Sequence, residues 1–334
     1  MATVRAFRAL RPPPQAAASV SAVPYDVVST AEARELAAGN PLSFLHVSRP
    51  EIDLPDGTDP YSDRVYDLAA SNYQKLKRSA PLSGESSPAL YVYRLRMGDQ
   101  VQTGVAGVAA LDEYDSGVVR KHERTRPDKE DDRTRHMVRL RAQTGPVFLI
   151  YRDRPEIDAT VAGVQRESPL YDFTAPDGVS HTLWRALPAA AESLSHAFAS
   201  VPLLYIADGH HRAASAARAR QELRKSNPRH SGAEDYNFFL TVSFPAGQLR
   251  ILPYNRVVRD LGDRSPQAFL AELAKRFLVR DDAPATPARR GEVSVYVAGK
   301  WYGIALPPPS GSGAIASLDA DRLQHAVLEP LFGI

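Results

Sequence analysis

A chain of 334 residues holds one large domain or two ordinary ones, and an apolar fraction of 43% supplies a substantial core. Its 41 basic and 39 acidic residues nearly cancel, to a formal +2, which argues against a protein whose main task is coating nucleic acid and leaves room for a local basic groove at most. Cysteine is absent, which excludes a disulfide framework, a thiol nucleophile and a thiolate metal site.

The opening MATVRAFRALRPPP has no apolar stretch of signal-peptide length, and no run approaches a membrane span, so a soluble cytoplasmic protein is expected. Pro12-Pro13-Pro14 stiffens the amino-terminal segment. After Pro24-Tyr25-Asp26-Val27-Val28, the spacing predicts a short helix over 30–38, capped by Ser29 or Thr30 and ended by Gly39. Downstream, Phe44, His46 and Ser48 alternate with Leu45 and Val47, the pattern of a strand. An ordinary edge strand satisfies that pattern; a functional reading puts His46, Arg49 and Glu51 at the strand end as substrate contacts. Helical periodicity through Val65, Leu68, Tyr73 and Leu76 predicts a helix over 60–78, followed by a loop over 81–88. Segments 89–96 and 101–111 read as a hairpin across Gly98-Asp99.

A dense polar segment follows, Lys121-His122-Glu123-Arg124-Thr125-Arg126-Pro127-Asp128-Lys129-Glu130-Asp131-Asp132-Arg133. A solvated loop opening a helix accounts for Arg124, Arg126 and Asp131, with Asp128 and Glu130 suited to a helix amino terminus. It accounts less well for His122-Glu123, which follow the apolar Gly117-Val118-Val119 closely. A strand end that delivers a histidine and a carboxylate into a cleft is one way to place an acid–base pair. Lys129 and Arg133 lie four apart and share a helix face, either to hold a polyphosphate or to pair with Glu130 and Asp132.

Beyond this, 129–141 reads as a helix and 147–151 as a short buried strand. Trp184, within His181-Thr182-Leu183-Trp184-Arg185, belongs to the core. Helices are predicted over 186–198, 211–225 and 265–277, with a closing helix over 319–328. A second hairpin pairs 236–244 with 249–258 around Pro245-Ala246-Gly247, and a third pairs 293–297 with 301–305 around Gly299-Lys300. Residues 306–314 form an exposed loop. No repeat of solenoid period appears. Hairpins outnumber βαβ units, which predicts an α+β fold with mixed, mainly antiparallel sheets and packed helices. Residues 1–150 form an amino-terminal α+β part that contributes polar site residues. Residues 151–334 form a second part, and the two pack as one unit.

The most informative segment is Leu203-Leu204-Tyr205-Ile206-Ala207, then Asp208-Gly209-His210-His211-Arg212, then an alanine-rich stretch to Arg224. It reads as strand, tight loop, helix. The first N–H groups of a helix lack backbone partners and carry the positive end of its dipole, so an anion, phosphate above all, binds there naturally. Gly209 lets the backbone approach a ligand, His210, His211 and Arg212 add donors, and Asp208 offers a carboxylate. Asp208 as a mere cap and Gly209 as a mere turn residue form the blander reading. Adjacent histidines are poorly spaced to chelate one ion from a helix, whereas magnesium held by Asp208 and a bound nucleotide is well suited to the loop.

The order PYDVV, NPLSFLHVSRPE, KHERTRPDKEDDR, HTLWR, YIADGHHR and a terminal LQHAVLEPLFGI resembles the bacterial and archaeal family catalogued as domain of unknown function 1015, from about Phe7 to Ile334. Two departures stand out. Members usually carry Thr-His-Arg after the proline of the second hairpin, where this chain has Tyr254-Asn255-Arg256. Members also usually continue into a further carboxy-terminal part that is absent here, and the apolar end Leu331-Phe332-Gly333-Ile334 must either dock or once have been followed by more chain. The DGHHR turn is in turn similar to the D-G-x-x-R turn of the ParB/sulfiredoxin superfamily, which includes nucleotide-binding partition proteins, sulfiredoxin and free-serine kinases. That resemblance implies a ParB/sulfiredoxin-like core around Asp208–Arg212 and phosphate handling by those residues.

These readings combine into a nucleotide-dependent phosphotransferase acting on a small hydroxylated metabolite, a free amino acid among them, with ATP or ADP and Mg2+. Asp208, Glu123, His210 and Arg212 would be catalytic: Asp208 holding magnesium, Arg212 offsetting phosphoryl charge, Glu123 accepting the hydroxyl proton. Gly209, His210, His211, Arg212, His122 and Arg133 would contact phosphate, and Glu51, Arg49 and His46 the substrate. The rival class is a nucleotide-binding switch or DNA-associated ParB-like protein, which needs a basic patch and a helix-turn-helix; no convincing helix-turn-helix is found and the net charge is near zero. A phosphate-ester hydrolase needs the same residues plus an activated water. The expected partners are a small-molecule substrate and a nucleotide, with neither membrane nor nucleic acid; a homo-oligomer is compatible with these readings.

Overall fold

A computed structural model describes residues 1–252 and 255–334. Contacts divide the chain into two compact units, Met1–Arg250 and Ile251–Ile334. The boundary drawn at residue 150 from sequence falls inside a strand, and the central sheet of the first unit joins strands from either side of it.

The first unit begins with strands β1 (Val4–Arg5) and β2 (Leu10–Arg11), then a short helix α1 (Ala17–Val20). Helix α2 (Thr30–Ala37) opens on a capping box: the Ser29 hydroxyl accepts from the Glu32 amide, and the Glu32 carboxylate accepts from the Ser29 amide at 2.7 Å. The segment expected as a strand around His46 is instead helix α3 (Leu45–Ser48). Five residues of alternation do not separate a strand from a helical turn. Here the amides of Ser48 and Arg49 reach back to the carbonyls of Phe44 and Leu45, and Leu45 and Val47 enter two different small apolar clusters. Helix α4 (Asp63–Ser79) carries Val65, Tyr66, Ala69 and Leu76 on its buried side.

Strand β3 (Ser83–Gly84) pairs with β2. The predicted first hairpin is β4 (Tyr91–Met97) and β5 (Gln100–Ala110), which leads into α5 (Leu111–Asp115). Then come β6 (Val119–Arg120), α6 (Pro127–Leu140), β7 (Val147–Tyr151), α7 (Pro155–Val164), β8 (Tyr171–Thr174), β9 (Ser180–Arg185) and α8 (Pro188–Ala199). Strand β10 (Leu204–Asp208), helix α9 (His210–Lys225) and strand β11 (Phe238–Pro245) follow.

Nine strands form one sheet in the order β6-β10-β7-β11-β5-β4-β9-β8, with β1 also on β5. Pairing is antiparallel except for β10 with β6 and β11 with β7. The second hairpin expected from sequence does not form. Strand β11 lies between β5 and β7, which take up both of its edges, so no edge is left for 249–258. No strand is assigned to 249–252 or 255–258, and Pro253 and Tyr254 lie outside the described residues. Val92, Val105, Leu149, Trp184 and Ile206 bury one side of the sheet against Ile157 of α7, Leu194 and Phe198 of α8 and the alanines of α9. Trp184 is in the core, as the sequence suggested. The buried alanines 213, 214, 216, 217 and 219 present little bulk, so α9 lies against α6, β7 and β11.

The second unit has helix α10 (Pro266–Arg276), capped by the Ser265 hydroxyl on the Ala268 amide. Its sheet has the order β12-β14-β13, from β12 (Val279–Arg280), β13 (Glu292–Val297) and β14 (Lys300–Ala305). Ala298 and Gly299, both with positive φ, make the tight turn of the third hairpin. The closing helix is α11 (Asp319–Leu323), a π-helical turn over Gln324–Leu328 and α12 (Glu329–Phe332). Its apolar residues Val327 and Leu331 pack with Phe269, Leu273, Ile304 and Leu306. No described helix is long and apolar enough to cross a membrane.

Candidate functional site

Strand β10 buries Leu204 and Ile206 and ends at Asp208. Gly209 then turns the chain with φ +93°, a left-handed conformation that side chains disfavour. A Cβ there would also lie 3.3 Å from the Val147 Cα and from Arg212 Nη1. Helix α9 starts at once, at His210, and no side chain caps it. Its first amides therefore point outward without helical partners.

The polar loop after β6 reaches this helix start across 88 residues of sequence. The His210 side chain, 3% exposed, accepts a hydrogen bond at Nε2 from the His122 amide (3.3 Å), and its Nδ1 lies 3.5 Å from Glu123 Oε2. The His122 ring meets it edge-on, with centroids 4.3 Å apart. Burial, then the neighbouring His122, lowers the His210 pKa, against the opposing pull of Glu123 and Asp208. His211 Nε2 accepts from the Arg126 amide at 3.1 Å. The two histidines thus fasten the loop at two backbone points. Glu123 itself is 57% exposed.

Arg212 is held from several sides. Its side chain is 9% exposed and already engaged: Nη2 donates to both oxygens of Asp26 at 2.9 Å, and Nη1 lies 3.1 Å from Asp208 Oδ2 and donates to the Pro146 carbonyl at 2.9 Å. The guanidinium ties the Tyr25-Asp26 segment and Asp208 to the start of α9. Asp208, 60% exposed, still presents its carboxylate to solvent.

Arg133 joins the same network through Tyr25. Its Cζ lies 4.3 Å above the Tyr25 ring and that of Arg212 5.8 Å. Arg133 also pairs with Asp132 at 2.8 Å and donates to the Ser48 carbonyl. Asp132 is buried and accepts from the Tyr66 hydroxyl. Burial is the main cause that pushes the Tyr25 phenol up to about 12, with Arg133 and Arg212 opposing.

His46, Arg49 and Glu51 form a separate group. His46 Nδ1 faces both Asp53 oxygens, at 2.9 and 3.0 Å, and Nε2 lies 3.2 Å from the Asn40 carbonyl. Arg49 Nε lies 2.9 Å from Glu51 without hydrogen-bond geometry, and Nη2 donates to Thr30. Arg49 reaches the network by a 3.4 Å hydrogen bond to the Tyr25 carbonyl. Two grooves of about 290 and 410 Å3 flank His46 and Asp53, and neither is lined by residues 208–212.

The structure therefore gathers His122, Glu123 and residues 208–212, attaches Arg133 through Tyr25, and leaves His46 and Glu51 apart. The sequence singles out the PYD segment without giving it a role, and it offers Asp132 as one pairing partner for Lys129 and Arg133, a pairing that Arg133 makes. Asp26 and Asp132 turn out to anchor the two arginines. The signal for Asp26 is weak, because nothing in a loop aspartate announces an arginine 186 residues away. One oxygen or nitrogen from each of His122, Glu123 and His210 lies within 4.8 Å of the others, a spacing that a metal ion can bridge; Asp208 is outside that group.

The chain belongs to the family described as Protein of unknown function (DUF1015), whose model matches residues 4–321. It matches no curated protein and no solved structure.

Proposed function

We propose that this DUF1015 protein is a nucleotide-dependent phosphotransferase that moves a phosphoryl group to the hydroxyl of a small metabolite, with a free amino acid as one acceptor. The observation that carries the reading is the meeting of a histidine–carboxylate pair with an uncapped helix start entered through a glycine. The amides at the start of α9 offer donors to phosphate oxygens, and the helix dipole favours the same charge. Glu123, exposed and beside the buried His210, accepts the proton of the attacking hydroxyl. Such help is typically worth ~10²–10⁴-fold in rate.

Arg212 serves this reading by position. It fixes Asp208 and Asp26 around the helix start and is not the free cation that phosphate needs. Exposed Asp208 fits a magnesium ion, which is commonly held by one or two carboxylates together with substrate phosphates. When bound, that ion would neutralise phosphate charge. The likeness of the turn to the D-G-x-x-R turn of nucleotide-binding ParB proteins and free-serine kinases supports the assignment by analogy.

The test is a thermal-shift screen of nucleoside di- and triphosphates with Mg2+. A ligand at about 100 times its dissociation constant stabilises by about 2.7 kcal/mol. A matching rise in melting temperature with one or more nucleotides is expected, and a flat response across the whole set at millimolar concentration would remove the nucleotide from the account.

A further inference from the structure

We infer that His122, Glu123 and His210 form a site for one divalent first-row transition ion of the zinc class, distinct from a magnesium ion at Asp208. Two imidazoles and one carboxylate are the donor set of sites that keep coordination positions open for water or substrate. Magnesium, which takes oxygen ligands and holds its waters, suits this set poorly.

The donors come from two elements and are held in place. His210 stands on the first turn of a 16-residue helix, with its buried ring packed edge-on against His122. His122 and Glu123 ride on a loop whose Arg126 amide donates to His211, a fastening that ion binding leaves in place. A tetrahedral ion with bonds of about 2.0–2.2 Å needs donors roughly 3.4 Å apart. The present spacing, within 4.8 Å, closes by swinging the exposed His122 and Glu123 side chains while His210 stays fixed. Their exposure also gives the ion its way in. Ligation through His210 Nδ1 moves the ring proton to Nε2 and gives up the long bond from the His122 amide, a small local rearrangement.

A Glu123 carboxylate bound to an ion is a far weaker base. The loaded protein should therefore be far less active in phosphoryl transfer, a consequence that rests on the function proposed above; the ion site itself does not.

The test is zinc binding by the full chain, measured by calorimetry and by metal analysis after dialysis, with visible d–d absorption of the Co2+ form as the report on coordination. One ion per chain is expected. His122→Ala and Glu123→Gln should each weaken binding by at least about tenfold with native circular dichroism, because a lost ligand costs at least what a lost supporting group does. His196→Asn, on the exposed side of α8, should bind as the parent does. No stoichiometric ion, or parent-like binding by both ligand variants, overturns the site. If the ion binds as expected but no form of the protein ever transfers phosphate, the phosphotransferase reading fails and the ion site stands. If transfer is intact and zinc neither binds nor inhibits, the ion site alone fails.

Discussion

His136 makes the stability of the first unit depend on pH in a direction fixed by its surroundings. It lies on α6 with 2% of its surface exposed, and its Nε2 hydrogen-bonds the Val47 carbonyl of α3 at 2.9 Å. Burial, reinforced by Arg133 and opposed by the Val47 carbonyl and Asp132, lowers its pKa from 6.5 to about 4. Between those values the unfolded chain binds a proton that the folded chain refuses, so stability is lost as pH falls from 6.5 and the loss levels off near 4. About 2.5 pH units at about 1.36 kcal/mol each give a total near 3 kcal/mol. The assay is urea unfolding between pH 7.5 and 4 in a Trp301→Phe background, where Trp184 alone reports the first unit. His136→Asn removes the titrating group while the carboxylates titrate alike in both proteins. The stability advantage of the parent over the variant should shrink by about 3 kcal/mol as the pH falls. A difference that stays constant within about 0.5 kcal/mol would show that His136 is not the buried neutral group described.

Arg212→Ala should cost roughly 2–3 kcal/mol in urea unfolding, because Asp26, Asp208 and the Pro146 carbonyl all lose a charged donor. Arg212→Lys should recover little of it, since one ammonium cannot reproduce the planar fork; full rescue by lysine would mean that charge alone matters. Gly209→Ala should cost about 1–3 kcal/mol, from its positive φ and the 3.3 Å approach of Val147, and should blunt any nucleotide-induced thermal shift. A stable Gly209→Ala protein with an undiminished shift would detach the turn from phosphate binding.

The turn itself was legible because its chemistry is local: a β-prone run, a glycine and an alanine-rich helix lie consecutively in the chain. The approach of His122 and Glu123 was legible for a broader reason, since two dense polar clusters in one chain call for one shared site. The engagement of Arg212 is not legible because two of its partners are distant in sequence; a guanidinium looks available until Asp26 and the Pro146 carbonyl are found on it. The His46 segment failed as a strand because two buried residues, Leu45 and Val47, satisfy a period of two and a helical turn equally well. Strand β11 was given a hairpin partner because sequence shows the turn after it, and not the edges of β5 and β7 that occupy it instead.

The central claim is that Glu123 accepts a proton during phosphoryl transfer at the α9 helix start. Its most direct measurement incubates γ-labelled nucleoside triphosphate, and separately the β-labelled diphosphate, with pools of hydroxylated metabolites, and compares the parent with Glu123→Gln. The account predicts a phosphorylated product with the parent, at least about tenfold less of it with Glu123→Gln, and an unchanged nucleotide-induced thermal shift in that variant. Nucleotide binding without any phosphorylated acceptor, or equal turnover by the two proteins, would contradict it.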